Sequence, residues 1–180
     1  HIHNPDDYAM ANFLRYAPDT QLLITVREPI QNCESWLRFS VEENNYEECV
    51  NRILGILFGF DQIPFRMRGS VGVRLEDLKT QPEATMKALC TWLKVEDSPT
   101  LYKMTTQGKL FWRTSTDPGM NGRRANPFDQ ISIKRPVGKI LGKTDQFVLG
   151  TLFYPFSVRF GYRDPEPEQF QKDLKEIRPL

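Results

Sequence analysis

Leu22-Leu23-Ile24-Thr25-Val26-Arg27-Glu28-Pro29 is the stretch that decides the fold. Its first five residues form a short, almost continuous apolar run. Such a run suits a strand of a parallel sheet covered on both faces, where no polar alternation is needed. The run stops at Arg27-Glu28. Pro29 then suits the first turn of a helix, where a missing N–H leaves no bond unmade. Ile30 to Ser40 continues with helical spacing. The octapeptide therefore predicts a strand, a sharp turn and a helix.

Working outward, Asp6 to Tyr16 reads as a helix with Tyr8, Ala9, Phe13 and Tyr16 at apolar positions, ended by Pro18-Asp19. Downstream, the polar Glu42-Glu43-Asn44-Asn45 precedes a second helix from about Tyr46 to Phe58. Ser70 to Leu75 reads as a second strand. Glu76 to Lys79 turns out of it, and Pro82 opens a helix with Met86, Leu89, Cys90 and Leu93 on one face. Ser98 to Lys139 is rich in Gly, Pro, Ser and Arg; a connection of this length inside a domain is more often functional than filler. Thr144 to Phe153 reads as a packed helix, and Val158 to Tyr162 leads out of the domain. The expected organisation is one domain over 1–162, then a charged tail over 163–180 with a peripheral helix near Glu168 to Ile177. Strands alternating with helices predict an α/β fold with parallel strands.

The 180 residues carry 24 Lys and Arg against 23 Asp and Glu, a formal net charge of +1. A nucleic-acid partner is not expected, because no basic excess or stripe is present. Any bound anion is held by a few placed groups, not by a general field. Cys33, Cys49 and Cys90 are odd in number and widely spaced, which suits buried thiols of a reducing compartment and no zinc site. The longest apolar candidate, Ile53 to Phe60, is short and contains two glycines, so no membrane span is expected. The chain opens at His1 without Met and without a signal peptide. The expectation is a piece of a longer parent, either cytoplasmic or stripped of an upstream targeting segment. His1-Ile2-His3 is either native or a tag remnant.

In open α/β sheets, ligands sit beyond the carboxyl ends of the strands. Arg27 stands at such an end, before a helix whose first N–H groups lack internal partners. An anion there meets a guanidinium fork, amides and the positive end of a helix dipole. Ser35 lies about two turns into that helix, within reach only from a suitable helix face. By chemistry alone, Arg27 fits a structural pair with a carboxylate equally well, and Ser35 fits an ordinary surface serine.

The strand ending in Arg27-Glu28-Pro29, with Ser35 eight positions after the arginine, resembles the 3′-phosphate-binding motif of PAPS-dependent sulfotransferases. Val73-Arg74-Leu75-Glu76-Asp77-Leu78-Lys79 and Pro82-Glu83 resemble the family's "RYEDL" strand end and "P-E" helix start, with Leu75 in place of the usual Tyr. Gly119-Met120-Asn121-Gly122-Arg123-Arg124 resembles the basic, glycine-containing loop that closes over the cofactor, without its stricter "RKGxxG" form. Gly161-Tyr162 looks like the "lGY" ending of many bacterial-type members.

The resemblance implies a P-loop NTPase-like parallel sheet flanked by helices. It implies PAPS as sulfuryl donor and PAP as product, with a small-molecule or carbohydrate acceptor. It assigns the 3′-phosphate to Arg27 and Ser35, and further cofactor contacts to Gly122, Arg123 and Arg124. His3, in His3-Asn4-Pro5, sits where some members carry a His-x-Pro catalytic base; His1 or a carboxylate are alternatives. No metal is implied. Phe111, Trp112 and Phe128 either line an acceptor pocket or pack the loop. The family's phosphosulfate-binding P-loop lies upstream of these motifs, and no glycine-rich loop entering a helix precedes Arg27. The chain alone is therefore expected to be inactive or very weak, with the missing unit in an upstream segment of the parent. Two other functions stay open: a non-catalytic sulfotransferase-like interaction domain, and a P-loop kinase-like phosphotransferase, for which no Walker motif is visible.

Overall fold

The apolar run Leu22–Val26 forms strand β1 and pairs in parallel with β2, Ser70–Arg74, with Leu22 opposite Ser70 and Val26 opposite Arg74. The structure is a computed structural model, and it describes residues 7–42, 44–59, 69–103, 105–107, 109–110, 126–130 and 133–178. Within these, the chain is mixed α/β: a small two-stranded parallel sheet with most other residues in helices. Val26 and Val73 are buried. Leu23 is 45% exposed, so among the described residues β1 is packed on one face and not on both as the run suggested.

The described residues divide into two compact units. The first comprises 1–74 and 135–180, the second 75–134. In the first, helix α1 spans Asp7–Tyr16, α2 Pro29–Glu42 and α3 Tyr46–Gly59. The apolar positions expected to pack α1 are the wrong stripe: Tyr8 and Tyr16 are more than 80% exposed, while Met10 is buried and Leu14 and Ala17 are half-buried. Two apolar stripes share this helix, and i, i+4, i+7 spacing serves Met10, Leu14 and Ala17 equally well.

The main core forms where Cys33 and Leu37 of α2 meet Cys49 of α3, the loop residue Leu141, and Leu149 and Phe153 at the end of a later helix. Cys33 and Phe153 have no exposed surface. All three cysteines are buried free thiols, as their apolar settings suggested.

Beyond residue 135, α6 runs Lys143–Leu152 and α7 Tyr154–Arg159. Asp145 closes the start of α6 by accepting from the Gly142 N–H at 2.8 Å. Helix α7 packs inward through Tyr154, Phe156 and Ser157, which are buried, while Val158, Phe160 and Tyr162 of the expected exit segment are half-buried and Arg159 and Gly161 exposed. Gly161 follows α7 with φ +69°, a left-handed conformation suited to glycine after a helix. Arg74, ending β2, donates to the Gly161 carbonyl at 2.8 Å and lies 5.6 Å from the Tyr162 ring centroid. The Gly161-Tyr162 pair thus anchors on the strand end. A last helix, α8 at Pro167–Ile177, stacks Phe170 on Tyr154 at 4.2 Å and buries Asp173.

In the second unit, α4 is Leu75–Thr80 and α5 is Pro82–Leu93, with Pro82 in its first turn. Of the face read from the sequence, Cys90 is buried, Met86 and Leu89 half-buried, and Leu93 39% exposed. A 3₁₀ turn at Pro99–Tyr102 and a short hairpin, β3 Thr105–Thr106 with β4 Lys109–Leu110, follow. Lys79 donates to the carbonyls of Pro127 and Asp129, and Gln130 donates back to the Lys79 carbonyl at 3.2 Å. Phe128 lies 6.1 Å from Tyr102, so its ring packs within this unit.

No described helix is long and apolar enough to cross a membrane. Among the described residues, no cluster of three or more His, Cys, Asp or Glu could hold a metal ion.

Candidate functional site

The turn from β1 into α2 places Arg27 and Glu28 beyond the strand's carboxyl end, where the fold class predicts a ligand. Both make local hydrogen bonds. Arg27 donates through Nε at 3.1 Å and Nη2 at 2.8 Å to Gln31 Oε1, one turn on. The Glu28 carboxylate accepts from the Ile30 N–H at 3.2 Å and the Gln31 N–H at 2.6 Å. The amides expected to await an anion are therefore capped by the chain's own side chain, which also places a negative charge at the positive end of the helix dipole. An acidic residue one position before a helix-opening proline, Glu28 before Pro29, is the sequence signal for this cap.

Ser35 stands elsewhere on the same helix. The loop that precedes α6 crosses its face, and the Arg135 guanidinium Nη1 lies 3.5 Å from Ser35 Oγ. The Arg135 carbonyl accepts from Gln31 Nε2 at 2.8 Å. Gln31 thus joins the two arginines: its oxygen holds the Arg27 side chain and its nitrogen holds the Arg135 backbone. A cavity of about 370 Å³ opens here, lined by Gln31, Glu34, Ser35, Arg38, Arg135 and Lys139 among others.

Glu34 organises the loop. It is 7% exposed. Its two carboxylate oxygens accept from four consecutive amides: Gly138 at 2.8 Å, Lys139 at 2.7 Å, Ile140 at 3.2 Å and Leu141 at 3.4 Å. Gly138 has φ +103°, which lets the chain turn these N–H groups toward one point. Burial acts to raise the Glu34 pKa. The four amides outweigh burial and hold it below the ordinary value of 4.5, so the group is an anion at neutral pH. Arg38 pairs with Glu42 one turn on, at 3.9 Å. The cavity lining carries three cations, Arg38, Arg135 and Lys139, against the two carboxylates Glu34 and Glu42. The Glu34 charge is already met by backbone amides, so the local balance favours a guest anion.

Cys33, beside Glu34 in sequence, takes no part in this chemistry. Burial pushes its thiol up to about 12, and the nearby Glu28 charge acts in the same direction. It stays a neutral packing group at physiological pH.

No family model, curated protein or solved structure matches this chain. Its site is described by its own geometry.

Of the residues singled out from the sequence, Arg27 and Ser35 lie on one strand–helix unit and connect to a single polar cluster through Gln31 and Arg135. Arg27 reaches that cluster through Gln31. His3, Gly122, Arg123 and Arg124 lie outside the described residues, as do Phe111 and Trp112. Sequence reasoning missed Gln31, Glu34, Arg135 and Lys139. Arg135-Pro136-Val137-Gly138-Lys139 did carry a signal, a glycine turn between two cations at the end of the long irregular stretch. Glu34 carried none: a glutamate on an exposed-looking helix reads as a solvated charge.

Proposed function

We propose that this chain carries the 3′-phosphate-binding half of a PAPS-dependent sulfotransferase site, on a P-loop NTPase-like sheet of which β1 and β2 form part. The observation that carries the proposal is the placement of Ser35 Oγ 3.5 Å from the Arg135 guanidinium, at a cavity lined by further cations. A hydroxyl donor beside a guanidinium fork suits a phosphate dianion, and about 370 Å³ is within the range of small-ligand sites.

In this proposal PAPS supplies an activated sulfuryl group to a hydroxyl or amine of a small-molecule or carbohydrate acceptor, with PAP as the leaving product. Ser35 and Arg135 contact the 3′-phosphate, and Arg27 joins them by exchanging its Gln31 contact for the anion. Their contribution is orientation: a fixed 3′-phosphate fixes the rest of the nucleotide. His3, as general base, takes the proton that the acceptor atom loses as its new bond to sulfur forms. Gly122, Arg123 and Arg124 supply further cofactor contacts by family resemblance. A cytoplasmic location belongs to the same proposal.

The test compares PAP affinity of the intact chain with that of Ser35→Ala and Arg27→Ala. Loss of one charge-assisted contact lowers affinity by roughly ten- to a hundredfold. Unchanged affinity in both folded variants removes the assignment.

The Glu28 cap favours a second function, a non-catalytic interaction domain of the same fold. With Ile30 and Gln31 N–H already bonded to Glu28 and Arg27 bonded to Gln31, the strand–helix turn is satisfied without a ligand. Binding of neither PAP nor PAPS by the folded chain selects that function.

A further inference from the structure

We propose that Glu34 is a positioning residue for the anion cavity, setting where Arg135 and Lys139 stand relative to Ser35. This rests on the 3′-phosphate proposal above and names the group that holds its site in shape.

The loop 135–141 has no regular secondary structure to define it. Its path across α2 is set by two side chains of that helix. Gln31 Nε2 donates to the Arg135 carbonyl at 2.8 Å, and the Glu34 carboxylate gathers the four amides from Gly138 to Leu141. Leu141 is buried in the main core and Glu34 is itself buried, so the clamp joins the loop to the rigid part of its unit. Both cations lie on the clamped stretch: Lys139 is one of the four donors, and Arg135 is three residues before the first. Ser35 follows Glu34 directly on α2. One helix therefore supplies both the hydroxyl that faces the cavity and the carboxylate that brings the guanidinium to it.

An ordinary structural carboxylate would pair with one cation or cap one helix. Glu34 pairs with no cation side chain among the contacts described and spends both oxygens on backbone. That leaves the Arg135 and Lys139 charges facing the cavity. A lysine or arginine partner for Glu34 would have cancelled charge at the site instead.

The decisive variant is Glu34→Gln. It keeps the shape, but one carboxylate oxygen becomes an amide NH₂ that faces N–H donors and cannot accept from them. The experiment titrates PAP and 5′-AMP into the intact chain, Glu34→Gln, Arg135→Ala and the double variant. Expected is a PAP affinity about tenfold lower in Glu34→Gln, as for losing one charge-assisted contact, with 5′-AMP affinity unchanged. In the Arg135→Ala background the same substitution costs less than it does alone, because part of its effect passes through Arg135. Equal loss of PAP and 5′-AMP affinity, or full additivity with Arg135→Ala, overturns the positioning role. Should Glu34→Gln not fold, Glu34→Asp carries the same test, keeping the charge and shortening the reach by one methylene. If the intact chain shows no preference for PAP, the 3′-phosphate proposal fails. If it does and Glu34→Gln matches it, only the present inference fails.

Discussion

Replacing Gly72 by alanine should destabilise the chain through one contact, with Phe160. Gly72 is the middle residue of β2, opposite Ile24 of β1. A methyl built on its backbone would sit inside contact distance of the Phe160 ring, with Cε1, Cδ1 and Cζ all crowding it. The ring has little freedom to retreat. It is tilted against Phe156 at 4.7 Å, and the next residue, Gly161, is held by Arg74. Overpacking of this kind costs about 1–3 kcal/mol. Alanine recovers ~0.4–1 kcal/mol by restricting the unfolded chain, so the net loss is about 1–2 kcal/mol. For a chain of this size that is a fall in Tm of about 2–8 °C. The assay is a double-mutant cycle by urea unfolding, with Phe160→Ala as the second change. Once the ring is gone the methyl meets no obstacle, so Gly72→Ala should be neutral or slightly stabilising in that background. The gain from restricting the unfolded chain is common to both backgrounds, so the coupling should equal the overpacking cost, about 1–3 kcal/mol. Equal effects of Gly72→Ala with and without Phe160 would refute the packing of the Gly161-Tyr162 corner on β2.

Acid should act on the Glu34 clamp. Its folded pKa is depressed, so its stabilisation is complete above the ordinary value of 4.5 and is lost as pH falls through the folded value. The urea midpoints of the native chain and Glu34→Gln should therefore differ at pH 7 and converge as the pH is taken below the ordinary carboxylate value of 4.5; a gap independent of pH contradicts this. Cys33 behaves in the opposite sense. Its folded pKa of about 12 exceeds the ordinary 9.0, so stability is unaffected below pH 9 and falls as pH rises toward 12, by up to ~1.4 kcal/mol per unit. Cys33→Ala should lack that alkaline component. At pH 7.5 the native thiol should resist alkylation until the chain unfolds, and rapid labelling of the folded protein would contradict the burial argument.

Much of the architecture was legible because it is local. An apolar pentapeptide followed by Arg-Glu-Pro encodes β1 and the start of α2 through burial and the restrictions of proline, and the same logic located α3, β2, α5 and α6 within a few residues. The polarity of α1 was misread because Tyr8, Phe13 and Tyr16 share helical spacing with Met10, Leu14 and Ala17, and only tertiary contacts choose between two such stripes. The candidate site was half legible. Arg27 and Ser35 announce themselves by their place after a strand end. Arg135 meets Ser35 across a hundred residues of chain, and the Glu34 clamp depends on a loop whose four amides converge only because Gly138 takes a left-handed turn. Nothing in local composition encodes that convergence. The Glu28 cap was available in principle, since an acidic residue just before a helix-opening proline is placed to bond the first amides.

The central claim is that the cavity between α2 and the 135–141 loop recognises a 3′-phosphate. Calorimetric titration of the intact chain with PAP and, separately, with 5′-AMP tests it most directly, because the two ligands differ only in that group. PAP should bind roughly ten- to a hundredfold more tightly than 5′-AMP, with the preference abolished in Arg135→Ala. Equal affinities for the two nucleotides, or no binding of either by the folded chain, would contradict it and bring the interaction-domain function forward.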